Sequence, residues 1–274
     1  MPLTQSMYYA ESTGADPLRP VLVLVHGAGY DHHIWPMEIR RMSGWRVLTV
    51  DLPGHGRSAG RPRQSVGAYV QDLVNFLDEL AIYRIVLVGH SLGASIALQL
   101  ADEQPALLAG LGLISASAHL QVPELLAAYF SNPLTIPLGI QLYQAWGFSP
   151  QSSLSLVESG LAPLRAARAV MLGADWQASA RFDFDGDLGQ IQAPAWVATG
   201  GDDRLAPLPC AHYLASNLAS SRLQVIPNAG HMLPLEQPAA LSSGLRQFLA
   251  KLSPLEQNRQ TKATPALTLR ERGN

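Results

Sequence analysis

Short, continuously apolar runs alternate along the chain with longer stretches of helical periodicity, and this alternation restricts the fold more than any other feature. Six runs rich in Val, Ile and Leu are predicted to be strands: VLVLVHG (21–27), WRVLTVD (45–51), RIVLVGH (84–90), LAGLGLIS (108–115), APAWVATG (193–200) and SRLQVIP (221–227). Because each run is apolar along most of its length, both faces of the sheet must be covered. The alternation therefore predicts an α/β fold with a mostly parallel sheet.

The stretches between the strands carry the matching helical signal. In SVGAYVQDLVNFLDEL, apolar residues recur at spacings of three and four and share one helix face: Val66, Val70, Leu73, Leu77 and Leu80. Residues 91–104 and 236–252 are also predicted to be helices, and MYYAES (7–12) predicts an early antiparallel strand.

One long interval interrupts the alternation. Residues 117–187 contain no run that predicts a strand, and their helix-like segments are separated by prolines: Pro123, Pro133, Pro137, Pro150 and Pro163. We predict a helical cap inserted after the strand at 108–115, at the carboxyl end of the sheet, where ligands bind in open α/β folds. The expected organisation is a core of residues 1–116 and 188–253, a cap over 117–187 and a mobile polar tail over 254–274.

Composition and charge argue against several classes of function. The chain has 274 residues, of which 47% are hydrophobic, and its formal net charge is −2 with scattered Lys and Arg. Neither nucleic acid nor a membrane surface is therefore expected as a partner. The single cysteine, Cys210, allows no intrachain disulfide and no multi-cysteine metal site. Since no signal peptide and no apolar run of about 20 residues is evident, we expect a soluble, cytoplasmic protein.

The chemically most informative segment is Gly89-His90-Ser91-Leu92-Gly93, which fits the pattern G-x-S-x-G. It joins a predicted strand to a predicted helix, which is the context in which this pattern presents a nucleophilic serine. Glycine at both ends removes the Cβ atoms that would clash in so tight a turn. The alternative is an ordinary turn with an incidental serine, because the pentapeptide alone discriminates poorly.

A nucleophilic serine needs a base, and the base needs an acid that orients it. His231 directly follows the last predicted strand and is the candidate base. Asp202 and Asp203 both follow the strand APAWVATG, and on position alone either could be the acid. An oxyanion hole needs two N–H donors. The candidates are the amides of Leu92, beside the serine, and Ala28, in the glycine-rich turn after the first apolar strand.

The other histidines are predicted to be structural. His26, His55 and His90 lie beside glycines at strand ends and are expected to donate to backbone groups in tight turns. His32 and His33 are adjacent, so their side chains should point apart and make a poor metal pair. His119 and His212 have no evident companions, and no metal site is predicted.

Five segments together resemble the α/β-hydrolase fold superfamily over about residues 20–250: VLVLVHGAG, VDLPGHGRS (50–58), VGHSLGA (88–94), GGDDRLAP (200–207) and NAGHMLPLEQP (228–238). The resemblance implies a doubly wound, mostly parallel sheet of eight strands and identifies the insertion with the family's lid. It implies a catalytic triad of Ser91, Asp203 and His231. Asp203 is favoured over Asp202 because the acid is the fourth residue of the family pattern G-x-x-D-x-x-x-P.

The resemblance implies a serine hydrolase that cleaves a small, moderately apolar carboxylic ester, lactone or thioester through an acyl-enzyme, without a cofactor. Serine at position 91 argues against the epoxide hydrolase and haloalkane dehalogenase branches, which carry an aspartate there. The alternatives are a C–C bond hydrolase, a cofactor-free haloperoxidase-like enzyme, or a receptor-like binding protein with little turnover. Apolar and aromatic side chains are the predicted substrate contacts: Trp35, Tyr129, Phe130, Tyr143, Trp146 and Met232.

Overall fold

The computed structural model describes residues 7–12, 18–119 and 124–252, and within them seven strands form one sheet. The strands are β1 (Tyr9–Ser12), β2 (Val21–Val25), β3 (Val47–Val50), β4 (Ile85–His90), β5 (Leu108–Ile114), β6 (Ala195–Gly200) and β7 (Ser221–Ile226). Their order is β1-β3-β2-β4-β5-β6-β7, with β1 antiparallel to β3 and every other pair parallel. The predicted mostly parallel α/β sheet and the early antiparallel strand are confirmed.

The prediction of eight strands is wrong for the described residues, which contain seven. β1 is the edge of the sheet and is only four residues long. In the described part of the chain only Met7 and Tyr8 precede it, and two residues are too few to form a further paired strand.

Helices cover the sheet and supply the burial that its apolar strands require. They are α1 (Met37–Arg40), α2 (Val66–Glu79), α3 (Leu92–Glu103), α4 (Glu124–Ser131), α5 (Ile136–Gly147), α6 (Leu154–Ala166), α7 (Ala169–Ala180), α8 (Leu208–Asn217), α9 (Leu233–Glu236) and α10 (Pro238–Lys251). Short 3₁₀ helices span His32–Ile34, Pro105–Leu107 and Leu188–Gln190. None of the helices in the described ranges combines the length and apolarity needed to cross a bilayer.

Helix α2 buries the apolar face that its spacing of three and four residues predicts. Ser65 caps its N-terminus by accepting a hydrogen bond from the Ala68 N–H at 3.3 Å. Four of the five residues in the predicted stripe are buried, and the fifth, Leu80, ends the helix as its C-cap. Residues of the central strand β4 are buried throughout, as expected for a strand covered on both faces.

Helices α4 to α7 lie between β5 and β6, which is the position predicted for the helical insertion. Pro133 separates α4 from α5 and Pro150 separates α5 from α6, as predicted, whereas two other prolines lie within helices and Pro123 falls outside the described residues. Pro137 lies in the first turn of α5, where its missing N–H has no helical partner to lose, and Pro163 lies inside α6. That these helices form a distinct cap domain stays a prediction, and the predicted tail, 254–274, falls outside the described residues.

The parallel arrangement decides where functional groups meet. Because β2, β4, β6 and β7 run in one direction, the segments that follow them leave the sheet at the same edge. These segments carry Ala28, Ser91, Asp203 and His231, respectively. The fold therefore brings together four residues that are far apart in the chain.

Candidate active site

Ser91 occupies a strained turn between β4 and α3. Its φ of 54° and ψ of −117° lie outside the regions that L residues favour, at a cost on the order of 1–3 kcal/mol. The Ser91 N–H donates to the Ile114 carbonyl at 3.0 Å, which ties the turn to the neighbouring strand. A Cβ at Gly89 would collide with the Gly93 carbonyl, and one at Gly93 with the Val25 carbonyl. Both glycines are therefore required by close backbone approach.

The structure brings Ser91, His231 and Asp203 into one hydrogen-bonded chain. His231 Nε2 lies 2.8 Å from Ser91 Oγ, and His231 Nδ1 lies 3.0 and 3.1 Å from the two carboxylate oxygens of Asp203. Asp203 Oδ1 also accepts the N–H groups of Leu205 and Ala206 at 2.9 and 2.8 Å, which fixes the carboxylate. This arrangement allows His231 to remove a proton from the Ser91 hydroxyl while Asp203 orients the ring.

Asp202, the other candidate acid, faces a different partner. Its Oδ2 accepts a hydrogen bond from Ser149 Oγ at 2.6 Å, and no contact with His231 is found in the described part of the chain. The geometry thus separates two adjacent carboxylates that position alone could not distinguish.

Two buried histidines fix the backbone around this chain. His90 Nε2 donates to the His231 carbonyl at 2.8 Å, while its Nδ1 is buried without a partner among the described residues. His26 Nδ1 donates to the Gly27 carbonyl at 2.9 Å, and its Nε2 accepts from the Leu52 N–H at 3.0 Å. Burial lowers the pKa of His26 to about 4 and that of His90 to about 3, so both rings are neutral at pH 7. The prediction that both are structural donors to backbone is confirmed.

The predicted oxyanion donors border the Ser91 turn. Leu92 is the first residue of α3, and Ala28 lies in the loop that follows β2. A Cβ placed on Gly27 would lie 3.1 Å from Ser91 Cβ, so this loop packs directly against the serine. Within the described ranges, neither the Ala28 nor the Leu92 N–H donates to a protein group. Their role as oxyanion donors stays a prediction.

A small cavity opens beside Ser91. Its volume is about 10 Å³, and ten residues line it: Gly27, Ala28, Tyr30, His90, Ser91, Tyr143, Trp176, Ser179, Leu205 and His231. Three of these side chains, Tyr143, Trp176 and Ser179, come from helices α5 and α7 of the insertion. The cavity is thus built jointly by the sheet edge and the inserted helices.

Only Tyr143 among the six predicted substrate contacts lines this cavity, and substrate contact by the other five stays a prediction. Trp35 is buried in the core, and Phe130 stacks behind Trp176 with ring centroids 4.7 Å apart. Met232 is also buried and accepts a hydrogen bond from the Tyr143 hydroxyl at 2.7 Å through its sulfur. The remaining two, Tyr129 and Trp146, are only half-buried and do not reach the cavity.

Sequence reasoning missed Tyr30, Trp176, Ser179 and Leu205 as lining residues. Trp176 and Ser179 are three residues apart on α7 and therefore share a helix face, which is the signal that could have found them. Tyr30 directly follows the segment VLVLVHGAG, and Leu205 lies inside GGDDRLAP, so their proximity to the site is a consequence of sequence adjacency.

Two expectations about histidines need correction. His32 and His33 do not point apart, because they lie in a 3₁₀ helix with ring centroids 3.8 Å apart. With Asp31 they place candidate ligand atoms within 4.8 Å of one another, but His32 Nδ1 is hydrogen-bonded to Asp51 Oδ1 at 2.7 Å. His119 does have a companion, since its Nδ1 pairs with Asp183.

Comparison with known proteins agrees with this architecture. The family model described as "Alpha/beta hydrolase family" matches residues 22–243. A relative from Variovorax paradoxus (strain S110), "Putative carbamate hydrolase RutD", is 30% identical over 245 residues, which cover 85% of this chain and 92% of the relative. The pimeloyl-acyl-carrier-protein methyl ester esterase of Aromatoleum aromaticum (strain DSM 19018 / LMG 30748 / EbN1) is 30% identical over 240 residues, covering 80% and 94%.

Solved structures share the fold. A thermophilic esterase from Thermogutta terrifontis aligns with a TM-score of 0.80 at 24% identity, covering 90% of this chain and 93% of that chain. The family match includes Ala28, Ser91, Asp203 and His231. The chain belongs to the alpha/beta hydrolase family.

Proposed function

We propose that the protein is a serine hydrolase that cleaves a small carboxylic ester through an acyl-enzyme. The observation that carries the proposal is the hydrogen-bonded chain from Ser91 Oγ through His231 to Asp203, with distances of 2.8 Å and 3.0 Å. A serine hydroxyl is a weak nucleophile unless such a base removes its proton.

In the first half-reaction, Ser91 Oγ attacks the ester carbonyl carbon while its proton moves to His231 Nε2. The tetrahedral intermediate collapses when the alkoxide leaves and takes that proton from the imidazolium. In the second half-reaction, His231 removes a proton from water, which attacks the acyl carbon and releases the acid. Ser91 regains its proton, so every step uses groups of this chain and water.

Asp203 keeps His231 in the tautomer that this reaction needs. Its carboxylate accepts the Nδ1 proton, which leaves the Nε2 lone pair facing Ser91. When His231 becomes doubly protonated, the buried carboxylate beside it stabilises the positive charge.

The amides of Ala28 and Leu92 are proposed to bind the oxyanion of the tetrahedral intermediate. Leu92 is the first residue of α3, so its N–H lies at the positive end of the helix dipole. Donors that are already in place need no reorganisation during the reaction, and each contributes about 10²- to 10³-fold to the rate in comparable enzymes.

The cavity favours a small, uncharged acyl group. With a volume of about 10 Å³, it holds little more than a water molecule before side chains move. Tyr30, Tyr143 and Trp176 present aromatic surface to it, whereas Ser179 offers a hydroxyl. We therefore expect acetyl and propionyl esters to react faster than long-chain esters.

Carbamates are the second candidate class of substrate. The relative from Variovorax paradoxus carries a name that refers to carbamate hydrolysis, and the compact cavity suits a carbamoyl group as well as an acetyl group. The same triad would form a carbamoyl-enzyme by the steps given above.

A panel of p-nitrophenyl acetate, butyrate and octanoate, a lactone, a thioester, a vinylogous diketone and a carbamate tests the proposal. We expect a burst of p-nitrophenol equal to the enzyme concentration, and a loss of about 10⁴- to 10⁶-fold in turnover for Ser91→Ala and His231→Ala. Ser95→Ala is the matched control, because its buried hydroxyl lies one helical turn away and has no partner in the described residues.

Three other outcomes would replace the ester proposal. Turnover confined to the diketone would indicate a C–C bond hydrolase, and peroxide-dependent halogenation a haloperoxidase-like enzyme. Stoichiometric ligand binding without turnover on any substrate would indicate a receptor-like protein.

A further inference from the structure

The triad does not explain Asp175, a carboxylate on α7 that is completely buried. Three donors from three other parts of the fold converge on it. Its Oδ2 accepts from the Gly29 N–H at 2.8 Å and from His55 Nε2 at 2.7 Å, and its Oδ1 accepts from the Tyr69 hydroxyl at 2.6 Å. Burying a carboxylate costs free energy unless hydrogen bonds and nearby charges compensate for the lost contact with water.

The histidine partner of Asp175, His55, is buried as well. Both ring nitrogens of His55 face acceptors, since Nδ1 lies 3.1 Å from the Pro53 carbonyl and Nε2 contacts Asp175. Burial alone lowers the pKa of His55, but the charge and hydrogen bond of Asp175 outweigh it, and the pKa is raised. The expectation that His55 donates to backbone in a turn is therefore correct but incomplete, because its other ring nitrogen bonds to the buried carboxylate of Asp175.

The Gly29 N–H connects the His55–Asp175 pair to residues 27–30, the part of the loop after β2 that carries Ala28 and is called the oxyanion loop below. Gly29 follows Ala28 directly, and the peptide group between them carries the N–H that Asp175 accepts. Residues 27, 28 and 30 line the cavity, whereas Gly29 turns the other way toward α7. Fixing this peptide restricts the ψ angle of Ala28 and hence the direction of the loop beside Ser91.

The inserted helices hold the same loop by two further contacts. Gly29 has a φ of +78°, and a Cβ there would lie against Leu164 of α6 and 2.9 Å from Leu172 Cδ2 of α7. The Tyr30 hydroxyl donates to the Gly160 carbonyl of α6 at 3.0 Å. Helices α6 and α7 thus contact the loop at two successive residues, Gly29 and Tyr30.

We propose that Asp175 is a positioning residue that holds the Ala28 amide in place for the developing oxyanion. The inference rests on the serine hydrolase function proposed above. Asp175 touches no reacting atom and acts through Gly29 alone. Because a misplacement of about 1 Å near the reacting atoms can cost about 10²-fold in rate, a small movement of this loop is enough to matter.

Asp175→Asn is the direct test, with Tyr69→Phe as its matched control. Asparagine has one acceptor oxygen, whereas three donors converge on the two oxygens of Asp175. The Gly29 N–H therefore either loses its hydrogen bond or shares the remaining oxygen with another donor. Tyr69→Phe removes only the bond to Oδ1 and leaves both bonds to Oδ2. We expect kcat for p-nitrophenyl acetate to fall about 10- to 100-fold in Asp175→Asn and to stay within about threefold in Tyr69→Phe, with KM nearly unchanged in both.

A second readout separates this inference from the proposed function. A p-nitrophenyl phosphonate, which traps a nucleophilic serine, should label wild-type Ser91 and should label Asp175→Asn more slowly by the same factor as kcat. No labelling of the wild type would refute the serine hydrolase proposal. Labelling of both proteins at one rate would refute the role of Asp175 alone.

Two further results would overturn the positioning role. One is a lower melting temperature for Asp175→Asn with wild-type kcat, which would assign Asp175 to stability only. The other is a raised KM with unchanged kcat, which would place the network in substrate binding. Should Asp175→Asn not fold, Asp175→Glu keeps the charge but displaces the acceptor of Gly29, and wild-type kcat in that variant would overturn the proposal.

Discussion

Replacing Asp203 by asparagine should disable His231 without disturbing the fold. Asp203 Oδ1 accepts the Leu205 and Ala206 N–H groups, so the asparagine oxygen is held at that position. Its NH₂ group then occupies the place of Oδ2, which is the atom nearest His231 Nδ1 at 3.0 Å. Because an amide NH₂ donates, Nδ1 must accept, and the ring proton moves to Nε2, where it blocks proton transfer from Ser91.

The expected loss follows from this change of tautomer. In another serine hydrolase with a triad, the same substitution lowers kcat about 10⁴-fold, which corresponds to about 5 kcal/mol at 1.36 kcal/mol for each factor of ten. Screening by solvent would not reduce this effect, since the side chains of His231 and Asp203 are 3% and 0% exposed. Steady-state hydrolysis of p-nitrophenyl acetate at pH 7.5 to 8 measures it.

Asp202→Asn is the matched control because it changes the adjacent carboxylate, which accepts from Ser149 and not from His231. We expect that variant to retain kcat within about threefold, in line with the small effects of changes away from the reacting groups. Comparable losses in the two variants, or an Asp203→Asn enzyme with kcat within tenfold of the wild type, would refute the assignment of the acid.

Three further results are expected. Gly93→Ala should prevent folding or lower the melting temperature strongly, because the new Cβ would overlap the Val25 carbonyl; circular dichroism melting tests this. Trp176→Ala should enlarge the cavity and raise the butyrate-to-acetate ratio of kcat/KM. Burial lowers the pKa of His26 to about 4 and that of His90 to about 3. As the pH falls below about 6.5, these two histidines therefore become protonated in the unfolded chain before they do so in the folded protein, which favours unfolding. The free energy of unfolding should drop by about 2 kcal/mol per histidine between pH 7 and 4.5, measured by denaturant titration, and a rise would contradict this.

The sheet was predictable because its buried strands are continuous apolar runs in the sequence. Strands β2 to β6 are mostly apolar and almost fully buried, and β1 was visible from MYYAES. The expectation of burial on both faces is wrong for β7, because this strand is an edge of the sheet and only Ile226 of its six residues is buried. The number of strands was less predictable, because an edge strand needs neither a long apolar run nor burial on both faces. The expected eighth strand is not found in the described residues, where only Met7 and Tyr8 precede β1.

The acid of the site could be predicted from the sequence, whereas the residues that line the cavity could not. Chain order and the G-x-x-D-x-x-x-P pattern selected Asp203, which is where the geometry places the carboxylate. By contrast, which faces of α4, α5 and α7 turn toward Ser91 depends on how those helices dock. Tyr129 and Trp146 were therefore chosen for their chemistry and lie elsewhere, while Trp176 was overlooked.

The network around Asp175 had no sequence signature at all. Its three donors come from residues 29, 55 and 69, which are more than 100 positions away along the chain. A single aspartate in the middle of a helix is ordinarily assigned to the solvent-exposed face. Only the docking of α7 against the oxyanion loop reveals that this one is buried and hydrogen-bonded.

Identification of the residue that carries the acyl group tests the central claim most directly. Wild-type protein mixed with p-nitrophenyl acetate and quenched in acid during the burst should show a mass increase of one acetyl group. Peptide mapping should place that group on Ser91, and Ser91→Ala should show none, whereas Ser95→Ala should show the wild-type adduct. An acetyl group on another residue, or hydrolysis at the wild-type rate by Ser91→Ala, would contradict the account.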